Sequence, residues 1–377
     1  MPNNQTRSMP TAKNSVRLVL LVDRDTVNDF ASVLRHIMAG LLEDSCPIAL
    51  VCPIDADVDS IVSPAVEVIR YPLFKMPLFK PQNKKAVLAA VTKFAPTILH
   101  CYSDSRIRLT KYLSKQLNIP YVLTFNSIRK FLFAPFISAN HCGALIASSQ
   151  VIAEHIKRVY PNLAERVSRI NIGAFAEDIS ACFSDTTRII CMVVAQQIGN
   201  PSDFEPLLNA VKHLAVDGYE FVLVITGTGP GEKKLHKMVG ALGLSQIITT
   251  VGDIQPLRSV FAGADIFIAP QPSRRCNLRL LEAMSVGMAV AACRGGVDDF
   301  VIEDKTAAFF EPNDELSTYS CLQKLFDKRE FAKQIAQAAQ SHIREHHSVS
   351  NMVASLIQSY RNAERWYKKS ANRKYHS

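Results

Sequence analysis

The chain has 377 residues, 48% hydrophobic and 20% charged, with a net charge of +9. At roughly 100–200 residues per domain this suggests two domains with full cores and excludes a disordered chain. No apolar run approaches the roughly 18 residues that a membrane-spanning helix needs, and the moderate positive charge admits anionic partners without choosing among them.

In chain order, short apolar runs alternate with longer amphipathic ones. Val16–Val22, Ile48–Cys52, Ile98–His100, Tyr121–Thr124 and Ala144–Ala147 read as strands. Asn28–Leu42, Lys84–Phe94, Arg106–Leu117 and Val151–Tyr160 read as the helices between them. Val16–Val22 contains Arg17 and is closed by Asp23, so it reads as an opening strand rather than a leader. The pattern restarts with Ile189–Val194, Phe221–Thr226, Ile247–Val251, Ile266–Ala269 and Ala289–Ala292. Strands that are apolar on both sides and alternate with helices predict parallel sheets covered on both faces. The polar segment Ala174–Thr187 separates the two runs, and Phe331 to about Lys369 reads as two long helices. The expected organisation is α/β, with two Rossmann-like doubly wound domains over residues 1–178 and 188–345, then C-terminal helices. Residues 346–377 would cross back to the first domain and end in a basic tail. Ligands of such sheets bind at the carboxyl ends of the strands.

Nine scattered cysteines without a Cys-x-x-Cys pair suggest a reducing, cytoplasmic compartment with neither a disulfide framework nor a zinc site. His342, Glu345 and His346 form an H-x-x-E-H pattern, but with only the terminal helices around them they read as a solvated helix face. No nucleic-acid-binding motif occurs. Tyr71–Pro81 and Phe131–Phe136 place aromatic and apolar residues beside lysines, and six basic residues lie between Arg361 and Ser377. These stretches suit either packed loops or a peripheral contact with an anionic membrane surface.

The second half carries the specific signal. Phe221–Leu235 reads FVLVITGTGPGEKKL, Val251–Pro270 reads VGDIQPLRSVFAGADIFIAP, and Leu280–Gly296 reads LLEAMSVGMAVAACRGG. In composition, order and separation these stretches resemble glycosyltransferase family 4, the group 1 glycosyltransferases of GT-B fold. The first half is similar through Ile98–Ser127 and Ala144–Ser149, so the resemblance covers about residues 16–365. It implies transfer of a sugar from a nucleotide-sugar donor, with retention, to a glycan or lipid-linked acceptor. It also implies a nucleotide-diphosphate sugar as substrate, without a metal or other cofactor.

The resemblance assigns residues as well. Glu282 matches the glutamate that binds the donor's ribose, and a carboxylate can accept both ribose hydroxyls. Its bland alternative is a first-turn glutamate favoured by the helix dipole. Gly227, Gly229 and Gly231 follow a strand and open a helix. With Glu232 placed to repel a phosphate, they read as a tight turn rather than a phosphate cradle. The family's two diphosphate-binding cations fall on Gln196 and near Pro201, which carry no charge. Its first acidic residue, eight positions before Glu282, falls on Arg274, and Arg275 follows. Its sugar-contacting histidine falls on Asn126. Losing one transition-state donor typically costs about 2.7–4 kcal/mol, so these departures put the usual route in doubt.

The expected donor-binding set is therefore Glu282, Arg274, Arg275, Gln196 and Gly252, with the two arginines standing in for the lost cations. Arg274, Asn126 and His100 are the candidates for a catalytic role, although His100 could equally be a satisfied residue at the core's edge. Two functions stay open. One is a glycosyltransferase with an altered donor site. The other is a catalytically inactive relative that acts as a binding or partner subunit in glycan biosynthesis.

Overall fold

The computed structural model describes residues 16–72, 80–128, 136–178, 180–185, 187–254 and 256–375, excluding the side chains of residues 371–375. Most of Tyr71–Pro81 and of Phe131–Phe136, and the side chains of Arg373 and Lys374, lie outside the described residues.

The first domain is a parallel sheet of β1 (Leu18–Leu21), β2 (Ile48–Cys52), β3 (Glu67–Arg70), β4 (Ile98–Cys101), β5 (Tyr121–Phe125), β6 (Cys142–Ala147) and β7 (Val167–Arg169). Its order is β3-β2-β1-β4-β5-β6-β7. The helices α1 (Arg24–Asp29), α2 (Ala31–Glu43), α3 (Lys80–Phe94), α4 (Ile107–Leu117) and α5 (Gln150–Val159) connect the strands. The second domain holds β8 (Ile190–Ala195), β9 (Phe221–Thr226), β10 (Ile248–Val251), β11 (Ile266–Ala269), β12 (Ala289–Cys293) and β13 (Ala308–Phe310), in the order β10-β9-β8-β11-β12-β13. Between and after them run α6 (Glu205–Val216), α7 (Glu232–Ala241), α8 (Leu257–Ala262), α9 (Leu278–Ser285), α10 (Glu315–Asp327), α11 (Arg329–His346) and α12 (Val349–Tyr375).

Every pairing between these strands is parallel. β1, β2, β4, β5, β11 and β12 are buried at every position, as expected of strands covered on both faces. The two doubly wound sheets expected from the sequence are therefore present. In the second sheet the chain changes direction between β8 and β11, which makes the loops after those strands the natural place for a ligand.

The last helix, α12, packs on the first domain against α2 and β6. Glycines let it approach. A Cβ at Gly143 of β6 would lie 2.4 Å from the Cβ of Ala363, and one at Gly40 of α2 would lie 2.6 Å from Val353. Tyr360, fully buried, places its hydroxyl 2.8 Å from Nδ1 of His100. Nε2 of that histidine lies 2.7 Å from Oγ1 of Thr124. His100 is thus a core residue that ties α12 to β4 and β5. Burial lowers its pKa to about 3, so it is neutral and takes no part in a cleft. The described cysteines are all free.

Candidate active site

The site is built at the carboxyl ends of β8, β9, β10 and β11. β8 ends at Ala195 and runs into Gln196–Gly199, against which the glycine loop after β9 closes. Gly227 has φ 153°, and a Cβ there would lie 1.8 Å from the carbonyl oxygen of Gln196. Gly229 would meet the carbonyl of Ile198 at 2.3 Å. Only glycine permits this backbone-on-backbone approach. Gln196 N donates to Thr226 O at 3.1 Å and Ile198 N donates to Thr228 O at 3.0 Å, so the two loops form one unit. Gly229 N donates to the Glu232 carboxylate. This amide of the glycine loop is therefore already capped from within, as a tight turn requires. Gln196 itself is half-buried. Gly252 is exposed, and its carbonyl accepts from Oγ1 of Thr226 at 2.8 Å.

α9 supplies the charged residues. Asn277 caps it, with Oδ1 accepting from Leu280 N at 3.2 Å. Leu280, Leu281, Ala283 and Met284 are buried, which turns Arg279 and Glu282, three residues apart, to the opposite face. Glu282 is half-buried; burial pushes its carboxyl above the ordinary range while Arg258 and Arg279 pull it back. Arg279 donates to Asp253, the neighbour of Gly252, at 3.0 Å. Arg258 is engaged by Glu177 at 2.7 Å and by Phe175 O at 2.8 Å. Arg279 therefore links the Glu282 face of α9 to the loop after β10.

On the other flank of α9 a cavity of about 90 Å³ is lined by Gln271, Ser273, Asn277, Gly295, Gly296 and Asp298, among others. Asp298 Oδ1 accepts from Asn277 N at 3.0 Å. Burial pushes the carboxyl of Asp298 up to about 7, against the opposing pull of that hydrogen bond. A native aspartic acid with a raised pKa keeps a proton that the unfolded chain releases above its ordinary pKa near 4. Its contribution to stability is therefore lost as pH rises towards 7 and changes no further above it. Asp298→Asn is expected to gain stability relative to the wild type as pH rises from about 5 to about 8, measured by urea denaturation. A difference that does not change with pH would show Asp298 to be freely hydrated.

The loop before α9 crosses to the first domain. Ser127 and Arg275 form an antiparallel bridge, Ile128 N donates to Arg274 O at 2.8 Å, and Cys276 N donates to Asn126 O at 2.8 Å. The Arg275 guanidinium is hydrogen-bonded to Asp29 and lies 5.1 Å from the ring centre of Phe30. Asp299 adds a second crossing by accepting from Gln150 N at 2.7 Å and from Arg169 at 3.1 Å. Arg275 is thus engaged between the domains, whereas Arg274 is exposed at their edge. Asn126 is 9% exposed, its side chain hydrogen-bonds Tyr102, and its Oδ1 has no partner among the described residues.

The structure puts Glu282 and Arg279 on one face of α9, joins Arg279 to Asp253 beside Gly252 in the loop after β10, and leaves Gln196 in the loop after β8. It puts Arg275, the Arg274 backbone and Asn126 at the contact between domains. Sequence reasoning missed Asp29, Asp253, Arg279 and Asp298. Arg279 was open to detection, since its position three residues before Glu282 fixes it to the same helix face.

Residues 188–328 match the family model for group 1 glycosyl transferases. Among curated proteins, the chain is 25% identical over 285 residues to the sulfoquinovosyl transferase SQD2 of Arabidopsis thaliana. That alignment covers 67% of this chain and 54% of the relative, so the chain spans about half the length of the curated relative it matches. Among solved structures, a glycosyltransferase from Rickettsia africae superposes with a TM-score of 0.79 at 14% identity, covering 93% of this chain and 99% of its own. Anabaena HepE in complex with UDP superposes with a TM-score of 0.72 at 15% identity, covering 91% and 99%. Sucrose-phosphate synthase from Thermosynechococcus elongatus gives 0.71 at 16%, covering 92% and 98%. Identities this low speak for the fold alone. The chain is thus a GT-B-fold protein whose second domain, over residues 188–328, carries the sequence pattern of a group 1 glycosyltransferase.

Proposed function

We propose that this protein transfers a sugar from a nucleoside-diphosphate donor to a glycan or lipid-linked acceptor. The donor's ribose would rest on Glu282 and its base on the loop at Gly252. The observation that carries the reading is the half-buried Glu282 carboxylate, which shares a face of α9 with Arg279, the residue that reaches the loop after β10. Support comes from the group 1 model over the same domain and from the sulfoquinovosyl transferase relative.

The first domain suggests where the acceptor is met. Between Glu67 and Glu154 the sequence holds twelve lysines and arginines against a single acid, Asp104. α3 and α4 adjoin each other and present Lys84, Lys85, Arg108 and Lys115 to solvent. Phe136 is 76% exposed, with Lys111 Nζ 4.6 Å from its ring centre. An apolar residue among cations suits an anionic membrane surface, so we place the protein peripherally on a membrane's cytoplasmic face. No helix among the described residues is long and apolar enough to cross a membrane.

A second reading, a non-catalytic partner subunit of glycan biosynthesis, is favoured by the neutral Gln196 at the expected cation position and by Asp298 on the amide of Asn277, the residue that caps α9. Incubation with UDP-sugars and GDP-sugars separates the two. Release of nucleoside diphosphate that depends on Glu282 supports the transferase. Donor binding without release, with glycan and lipid acceptors present, supports the partner subunit.

A further inference from the structure

We propose that Arg279 is the cation that receives the donor's diphosphate, and that Asp253 holds its place while no donor is bound. The inference rests on the donor reading of Glu282.

The positions where a diphosphate's charge would be met offer little else. Gln196 is neutral, and Arg275 is bound to Asp29 and Phe30 on the first domain. Arg274 is exposed, with its backbone joined to Ile128. Arg279 differs in both place and partner. Three residues before Glu282, it stands on the same helix face, about one turn or ~5 Å nearer the amino end of α9. A nucleotide whose ribose sits on Glu282 and whose phosphates extend towards the amino end of α9 would meet the Arg279 guanidinium on that face.

Its present partner fits the same role. Arg279 is the second residue of α9, and a cation in the first turn opposes the helix dipole unless an anion accompanies it. That anion is now the Asp253 carboxylate, 3.0 Å away on the loop after β10, with 41% of its side chain exposed. An ion pair so close to water is weak and readily exchanged. A diphosphate offers more charge and a bidentate geometry suited to guanidinium. Arg279 would therefore leave one anion for another without its charge ever being left uncompensated.

Calorimetric titration of the full chain with UDP and GDP, each beside its nucleoside, tests the assignment. Arg279→Gln is expected to weaken the diphosphates by roughly 10- to 100-fold and to leave uridine and guanosine binding unchanged. Arg279→Lys should recover part of the loss, and Asp253→Asn should bind the diphosphates at least as tightly as the wild type. Circular dichroism would confirm that each variant is folded. If Arg279→Gln leaves the preference for diphosphate over nucleoside unaltered, the assignment of Arg279 is wrong while the donor reading stands. If the wild type binds neither nucleotide, the donor reading fails and takes this inference with it.

Discussion

Tyr360→Ala is expected to lower the unfolding free energy by about 4 kcal/mol or more. The side chain is fully buried where α12 crosses the first domain, and truncating a buried aromatic residue typically costs about 3–5 kcal/mol. The loss does not end with the cavity. The hydroxyl is the partner of His100 Nδ1 at 2.8 Å, and the two rings pack edge to face with centres 5.5 Å apart. Without Tyr360 a fully buried imidazole nitrogen is left unpaired, which adds about 1–3 kcal/mol. Tyr360→Phe retains the ring and should cost only that second part. Urea denaturation of the two variants separates the contributions. Limited proteolysis should also cut α12 of the alanine variant first, since the seats at Gly40 and Gly143 depend on the helix lying close. A cost for Tyr360→Ala no larger than that of a surface substitution would contradict the account of how α12 is held.

How far the fold could be read from residues depended on burial. β2 and β11 run over the stretches expected from their apolar runs, because strands covered on both faces leave a continuous hydrophobic signal. β3 and β7 gave no such signal. They are short edge strands, Glu-Val-Ile-Arg and Val-Ser-Arg, with most of their side chains in partial or full contact with water. β13 has three residues and forms only by pairing with β12.

The site was legible where one helix carries it and obscure where two chain segments meet. The placement of Glu282 on a helix followed from the stretch Leu280–Gly296. The partnership of Arg275 with Asp29 joins residues 246 positions apart, and that of Arg279 with Asp253 joins residues 26 apart. No local periodicity reports either. His100 illustrates the opposite difficulty. A histidine ending a strand points into a cleft or into the core depending on what covers it, and its cover is a helix 260 residues later.

The largest expected effect on binding belongs to Glu282→Ala. A carboxylate that accepts both hydroxyls of a ribose makes two charge-assisted hydrogen bonds. Each is worth about 1.5–3 kcal/mol, so their removal should weaken a nucleoside diphosphate by roughly 100-fold or more. The burial that raises the pKa of this carboxyl also keeps competing water from it, and the nearby guanidinium groups of Arg258 and Arg279 favour its ionised form. The helix should survive the change, since alanine is the strongest helix former and Glu282 lies on the face away from the core.

Calorimetric titration of the full chain with UDP and GDP, the wild type beside Glu282→Ala, therefore tests the central claim most directly. The account predicts micromolar binding of at least one nucleotide by the wild type and its loss in the variant. Absence of binding to both nucleotides, or binding that is indifferent to Glu282→Ala, would contradict it.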